Sequence, residues 1–246
     1  MLARRIEEAA LNSWPALQQL LFDGWVVRFA RGYTRRTNSV TPIYQSLLPL
    51  QEKIAFCEQQ YQSHRLPTIF RLISFSPESP LLEEVLAQRG YQRADLTLVL
   101  STPLPARQAT LHPAFQAVTL EEWFPFYNRC SQASEEQQAS HRAILQRIVH
   151  QPLFAFSLEQ GTPVACGVGV LEYDTFGLFD IITAPTQRNK GHATALVDGM
   201  LDWARERGAR RAYLQVVSTN WPALRLYRCF GFQEIYHYWY RIQSHK

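Results

Sequence analysis

The stretch Gly177–Leu201, GLFDIITAPTQRNKGHATALVDGML, constrains the fold of this chain more than any other. Its order predicts a strand, a proline-marked turn, a short polar loop holding Arg188 and Gly191, and a helix that begins at about the glycine. Along Gly191–Arg207, residues Ala193, Leu196, Val197, Met200, Leu201 and Ala204 share one face at the three-and-four spacing of a helix packed on a sheet. Gly208 ends that helix. Ala212–Val217 then has the length and β-branched character of a strand, so strand, loop, helix and strand form a parallel β-α-β unit. Unpaired N–H groups at the helix start, at the positive end of the peptide dipoles, favour an anion there. The loop is a candidate phosphate cradle.

Two common phosphate loops are absent. There is no G-x-G-x-x-G, and Lys190 precedes Gly191 with no Ser or Thr in register for a G-x-x-x-x-G-K-[ST] loop. Instead Arg188-Asn189-Lys190-Gly191-His192-Ala193 has the spacing R-x-x-G-x-A. Further on, Asn220-Trp-Pro-Ala223 opens another helix, and Leu226-Tyr227-Arg228-Cys229-Phe230-Gly231-Phe232 closes it. The hexapeptide resembles the acyl-CoA pyrophosphate signature of the GNAT N-acetyltransferases, [RQ]-x-x-G-x-[GA]. The closing run is similar to that family's L-Y-x-x-x-G-F element, with Asn220 and Ala223 matching the residues that commonly precede it. Alone, the hexapeptide fits a helix started by a solvated polar loop equally well; two motifs in order and at the right separation carry the resemblance.

At 246 residues the chain has room for one or two domains, and with 46% apolar residues it can bury a sizeable core. The net charge of +4 is scattered instead of gathered into a basic stripe, which argues against nucleic acid as a partner. Arg28–Arg36, RFARGYTRR, reads as a solvated loop or a contact for an acidic ligand. Cys57, Cys130, Cys166 and Cys229 lie far apart, without metal-ligand spacing, and read as small buried thiols. The first residues, MLARRIEEAALN, hold acids where a secretory signal needs its apolar run, and no stretch reaches membrane length. A cytoplasmic protein with no membrane partner is expected.

In chain order, residues 1–22 predict one or two amphipathic helices, with Ser13 and Pro15 placed to restart the second. Trp25–Phe29 alternates like a strand, and a polar loop runs over 30–40. A helix (50–64), a strand (68–73), a helix (80–89) and a strand (95–100) follow. This order recurs later, the run from Thr68 through Leu86 and Gly90-Tyr91 paralleling Ala212 through Tyr227 and Gly231-Phe232. The first half lacks R-x-x-G-x-A before its helix, and Leu86 stands where the second has Tyr227. The arrangement is similar to tandem GNAT proteins in which a degenerate N-terminal copy leans on an active C-terminal one. The expected fold class is mixed α/β, each copy a mostly antiparallel sheet with helices on both faces. Residues 1–102 form the degenerate domain, 103–113 a proline-rich linker and 114–246 the catalytic domain. In the second, 114–119 predicts a strand, 121–130 and 135–149 two helices, and 153–158 with 164–171 a hairpin. The resemblance covers 114–242 well and 1–100 more loosely.

What the resemblance implies is an enzyme that passes the acetyl group of acetyl-CoA to a primary amine by direct attack in a ternary complex. Loop amides of Arg188, Asn189, Lys190, Gly191, His192 and Ala193 would hold the pyrophosphate of coenzyme A. The pantetheine arm would lie along Ile181, Ile182 and Thr183, with backbone N–H groups near Ile182 facing the oxyanion. Tyr227 is the candidate general acid, protonated at neutral pH, or else a half-buried packing residue. Asn220 binds pantetheine or caps its helix. Asp180 is the candidate base, or is held by a structural partner, since a charge between Phe179 and Ile181 is costly unless it is paired or faces a cleft. Glu172 and Asp174 are runners-up. Tyr33, Arg35, Arg36 and Asn38 are candidates to line the entry of a small-molecule or peptide acceptor. The alternative is a non-catalytic acyl-CoA sensor on the same fold. The identity of the acceptor and the oligomeric state stay open, a monomer being compatible with a tandem pair.

Overall fold

The computed structural model describes residues 2–106, 112 and 114–243. In the first half, α1 (Leu2–Ser13) is followed by β1 (Gln18–Phe22), β2 (Trp25–Phe29) and β3 (Val40–Pro42). Then come α2 (Leu50–Ser63), β4 (Ile69–Ile73), α3 (Ser79–Gln88) and β5 (Gln92–Pro103). The second half runs through β6 (Phe115–Val118), α4 (Leu120–Ser131), α5 (Glu135–Leu145), β7 (Gln151–Glu159), β8 (Thr162–Glu172) and β9 (Thr175–Thr183). It ends with α6 (His192–Glu206), β10 (Arg211–Val217), α7 (Trp221–Cys229) and β11 (Gln233–Ile242).

Among the described residues, all strands join one sheet in the order β1-β2-β3-β4-β11-β5-β10-β9-β8-β7-β6. The expectation of a separate sheet in each half is therefore corrected. The last strand of each half lies between strands of the other: β11 between β4 and β5, and β5 between β11 and β10. β5 also runs through Pro103, whose register partner is Arg211, so the first residue assigned to a linker is still strand. Most of the expected linker, residues 107–111 and 113, lies outside the described residues.

The side-chain alternation of each strand divides the core between the two faces. On one face α1, α4 and α5 cover Val26, Ile69, Ile73, Val99, Val168 and Phe179. The opposite face is covered by α2 and α3 over Val27, Phe70 and Leu72, and by α6 and α7 over Leu178, Leu214 and Val216. α4 and α5 start where the sequence supplies reciprocal caps, Thr119 with Glu122 and Ser134 with Gln137, each satisfying two N–H groups that a helix start leaves free. Under α1 a buried polar cluster spans the two halves. Arg71 Nη2 donates to Glu7 Oε2 at 3.0 Å, and the Tyr236 hydroxyl donates to the same oxygen at 2.5 Å. Removing one partner of such a buried pair costs about 3–5 kcal/mol, because a bare charge is left behind.

One expectation for the N-terminal third fails. Residues 18–22 form a strand, not a second helix: Asp23-Gly24 closes a tight hairpin, and Leu20 and Leu21 pair with Val27 and Val26. Cross-strand pairing overrides helical spacing over five residues, and Leu21 stays exposed at the sheet edge. The polar loop after Phe29 ends in the short strand β3, which patterning over three residues cannot reveal. Of the cysteines, Cys57 and Cys166 are buried, whereas Cys130 is half-buried and Cys229 exposed. No helix among the described residues is long and apolar enough to cross a membrane.

Candidate active site

β9 is laddered to β8 from Thr175 to Thr183 apart from one bulge, but β10 pairs with it only from Thr175 to Leu178. From Phe179 to Thr183 the edge of β9 that faces β10 has no strand partner, because β10 continues along β5 instead. Unpaired strand edges offer N–H and C=O groups to any extended chain that can reach them. Opposite this opening the β8–β9 register slips by one residue, with Val168 facing Phe179 and Cys166 facing Ile182. The bulge falls at Asp180, whose φ of 49° is left-handed, a region that Asp tolerates better than most residues.

β9 leads through a 3-10 turn at Pro185–Gln187 into the loop and α6. Gly191 is the residue before the helix, at φ 86°, and no side chain caps the first turn. A Cβ at Gly191 would meet nothing within 4 Å, so the backbone here borders open space. That space is a cavity of about 600 Å³ lined by Ile181, Ile182 and Thr183, by Arg188, Asn189, Gly191, His192 and Ala193 of the loop, and by Asn220 and Tyr227 of the next helix. Lys190 does not line it; its Nζ donates to Gln187 Oε1 at 2.7 Å. His192 Nε2 lies 3.6 Å from Glu159 Oε1.

α7 closes the far end. Asn220 caps it, its Oδ1 accepting from the Ala223 N–H at 3.3 Å, and also lines the cavity, so its two readings are compatible. Tyr227 is buried on the inner face of α7 against Phe232, and among the described residues no hydrogen bond uses its hydroxyl. Burial pushes its phenol well above the ordinary value of 10, so it stays protonated over any workable pH.

Beyond Tyr227 a second cavity of about 260 Å³ shares Ile181, Asn220, Ala223 and Tyr227 with the first and adds Arg36, Phe179, Asp180 and Gln215. Asp180 has a partner: its Oδ2 lies 2.8 Å from Nε2 of His141 on α5. His141 is buried among Trp14, Tyr33, Trp123, Phe124 and Tyr127, and its Nδ1 has no partner. Burial, then the Asp180 charge, pushes the Tyr33 phenol up to about 12 and that of Tyr127 higher still. His141 carries no motif signal, although helical spacing puts it with Ile144 and Leu145 on the buried face of α5.

The remaining candidates separate. Arg36 lines the second cavity and a third of about 280 Å³, which Arg35 also borders. Tyr33 stacks on His141 instead of lining either cavity. The lining role expected of Asn38 is corrected: it is buried, its Oδ1 accepting from Ala30 and Gly32 N–H groups and its Nδ2 donating to the carbonyls of Tyr33 and Thr34. It fixes the loop that presents Arg36. Glu172 and Asp174 line none of these three cavities; Asn12 donates to Glu172 and Arg5 pairs with Asp174, tying the β8–β9 hairpin to α1.

This geometry can be set beside known proteins. A family described as "Probable histone acetyltransferase Rv0428c C-terminal" matches residues 3–241. The chain belongs to this family. It is an acetyltransferase of the GNAT type. The acetyltransferase is 27% identical over 246 residues to an uncharacterized N-acetyltransferase, YobR, of Bacillus subtilis (strain 168), with 98% of each chain covered. A streptothricin acetyltransferase of Streptomyces lavendulae is 45% identical over 53 residues, 22% of this chain and 28% of that protein. In fold the acetyltransferase is similar to a GCN5-related N-acetyltransferase from Kribbella flavida, with a TM-score of 0.70 at 14% identity over 100% of this chain and 96% of that one. A tandem GNAT protein from the clavulanic acid biosynthesis pathway gives 0.59 at 13% identity, over 85% and 76%.

Proposed function

We propose that the protein transfers the acetyl group of acetyl-CoA to an amine by direct attack, both substrates being bound together. The observation that carries this reading is one cavity bounded by an unpaired strand edge at 179–183, an uncapped helix start at Gly191 and the free hydroxyl of Tyr227. Each wall suits one part of acetyl-CoA. Amides of the loop from Arg188 to Ala193 meet the diphosphate, joined by the Arg188 guanidinium. The open edge of β9 accepts the pantetheine amides as a further strand would.

In the reaction the amine nitrogen forms a bond to the thioester carbon while the carbon–sulfur bond breaks. Main-chain N–H groups near Ile182 stabilise the oxyanion, and Tyr227 protonates the departing thiolate. The proton lost by the amine goes to Asp180, directly or through water, with His141 holding the carboxylate in position. The N-terminal half is read as a degenerate copy of the same fold that supplies the wall carrying Arg36. The seating of β11 beside β4 supports that reading.

Calorimetry with acetyl-CoA, combined with thiol release across a panel of amines, tests the proposal. Binding together with turnover is expected. Binding without turnover of any amine would point to an acyl-CoA sensor instead.

A further inference from the structure

The second cavity holds two opposite charges that do not neutralise each other. Asp180 and Arg36 both line it, yet no ion pair joins them among the described residues. Two neighbouring arginines are engaged by the protein itself. Arg35 pairs with Asp95, and Arg28 is buried with its two Nη atoms on the carbonyls of Leu11, Trp14 and Arg36. The Arg36 guanidinium has no carboxylate partner. It lies instead over the faces of Trp14 and Phe179, at 5.6 and 5.9 Å from the ring centroids, contacts that hold a planar cation in place while leaving its N–H fork free.

A second unanswered donor stands in the same walls. Gln215 on β10 lines the second and third cavities, as Arg36 does. Its Oε1 accepts from the Tyr238 hydroxyl at 2.9 Å, which turns its Nε2 into a buried donor with no partner. A half-buried guanidinium and a buried amide N–H that share two cavities and lack acceptors together suit an anion, a planar carboxylate best of all. Asp180 shares only the second cavity with Arg36 and Gln215, the one that Tyr227 also lines, and the attacking nitrogen must arrive there.

We infer that the acceptor is a small amine that also carries an anionic group, a carboxylate foremost: its amine meets Asp180 and its anion meets Arg36 and Gln215. The inference rests on the acetyl-transfer reading above and narrows its substrate class. Arg36 acts here as a specificity-determining residue. A cavity of about 260 Å³ suits a molecule of amino-acid size, and an unanswered cation disfavours a polybasic peptide as acceptor.

The test measures kcat/KM by thiol release for matched triplets, each an α- or ω-amino acid, its carboxamide and its decarboxylated amine, together with a lysine-rich peptide. The acid is expected to exceed its amide roughly ten- to a hundredfold, the range of one charge-assisted contact. Arg36→Met should bring acid and amide within about threefold of each other, Arg36→Lys should restore part of the preference, and Gln215→Leu should reduce it less. Calorimetry gives a readout without turnover: the coenzyme A complex should bind an N-acetyl amino acid more tightly than its methyl ester, and Arg36→Met should remove the difference. Equal rates for acid and amide, equal binding of acid and ester, an Arg36→Met protein that keeps the preference, or faster turnover of the lysine-rich peptide would each overturn the inference while leaving acetyl transfer intact. An acetyl-CoA titration run alongside separates the two conclusions, since failure to bind the coenzyme would overturn both.

Discussion

Two helix starts in this molecule face the same electrostatic problem and answer it differently. At α2 the chain brings its own anion: the Asp23 carboxylate accepts from the N–H groups of Leu47 at 3.0 Å and Leu48 at 2.8 Å, just before the helix. Lys53 lies 3.5 Å from that carboxylate and 3.3 Å from Glu78, which also accepts from Trp25 Nε1 at 2.6 Å. Neither helix has a side-chain cap on its first turn, but among the described residues no carboxylate accepts from the amides ahead of α6, and the backbone at Gly191 borders open space. The helix that follows each strand repeats the contrast, with fully buried Leu86 on α3 and cavity-lining Tyr227 on α7. The loop amides just ahead of α2 are spent on Asp23. Those ahead of α6 stay available to an anion from solution.

The largest effect is expected where the contrast is chemical. Tyr227→Phe should lower kcat roughly 100-fold in the thiol-release assay, with the acetyl-CoA Kd within about twofold of the wild type, since only a positioned proton donor is removed. An unchanged kcat would take Tyr227 out of the mechanism. Next comes Gly191→Asp, which gives α6 the anion that α2 already has. Acetyl-CoA binding measured by calorimetry should weaken by about tenfold or more, through repulsion of the diphosphate and strain at a φ of 86°. Retained affinity would mean that the diphosphate lies elsewhere.

A smaller effect is expected on the other side of the comparison. Asp23→Ala should lower Tm while the acetyl-CoA Kd stays where it was, because that carboxylate serves only the first half. Its pH dependence has a definite sign. Burial pushes the Asp23 carboxyl up, but the Leu48 and Leu47 amides and Lys53 pull it further down, leaving it below the ordinary 3.8. A depressed carboxyl contributes its stability above the unfolded value and loses it as pH falls through the folded one. The Tm gap between wild type and Asp23→Ala should therefore hold at neutral pH and close below about pH 3.8. The smallest effect is a plateau: with the Tyr227 phenol raised by burial, kcat should not fall between about pH 8 and 10 for want of the acid. A descending limb there would assign proton donation to another group.

The sequence reveals what is local and hides what is brought together from afar. The strand, turn and α6 are readable from Gly177–Leu201 because proline, glycine and helical spacing all act within a few residues. The cap at Asn220 and the caps of α4 and α5 are local for the same reason. β1 is misread because helical and strand spacing cannot be told apart over five residues, and its pairing with β2 decides. The exchange of β5 and β11 between the halves has no local mark, since each strand reads the same whichever neighbour it finds. The same limit applies inside the site. His141 and Asp180 meet across 39 positions, so the partner of the buried acid is seen only once α5 is laid on β9. Asn38 reads as a binding residue because it sits in a polar loop, whereas its amide is used to build that loop.

A crystal structure with acetyl-CoA bound measures the central claim most directly. The diphosphate oxygens should lie within hydrogen-bond distance of the main-chain nitrogens between Arg188 and Ala193, with the thioester sulfur beside the Tyr227 hydroxyl. Coenzyme seated anywhere else, with the start of α6 filled by water or by the protein's own side chains, would contradict it.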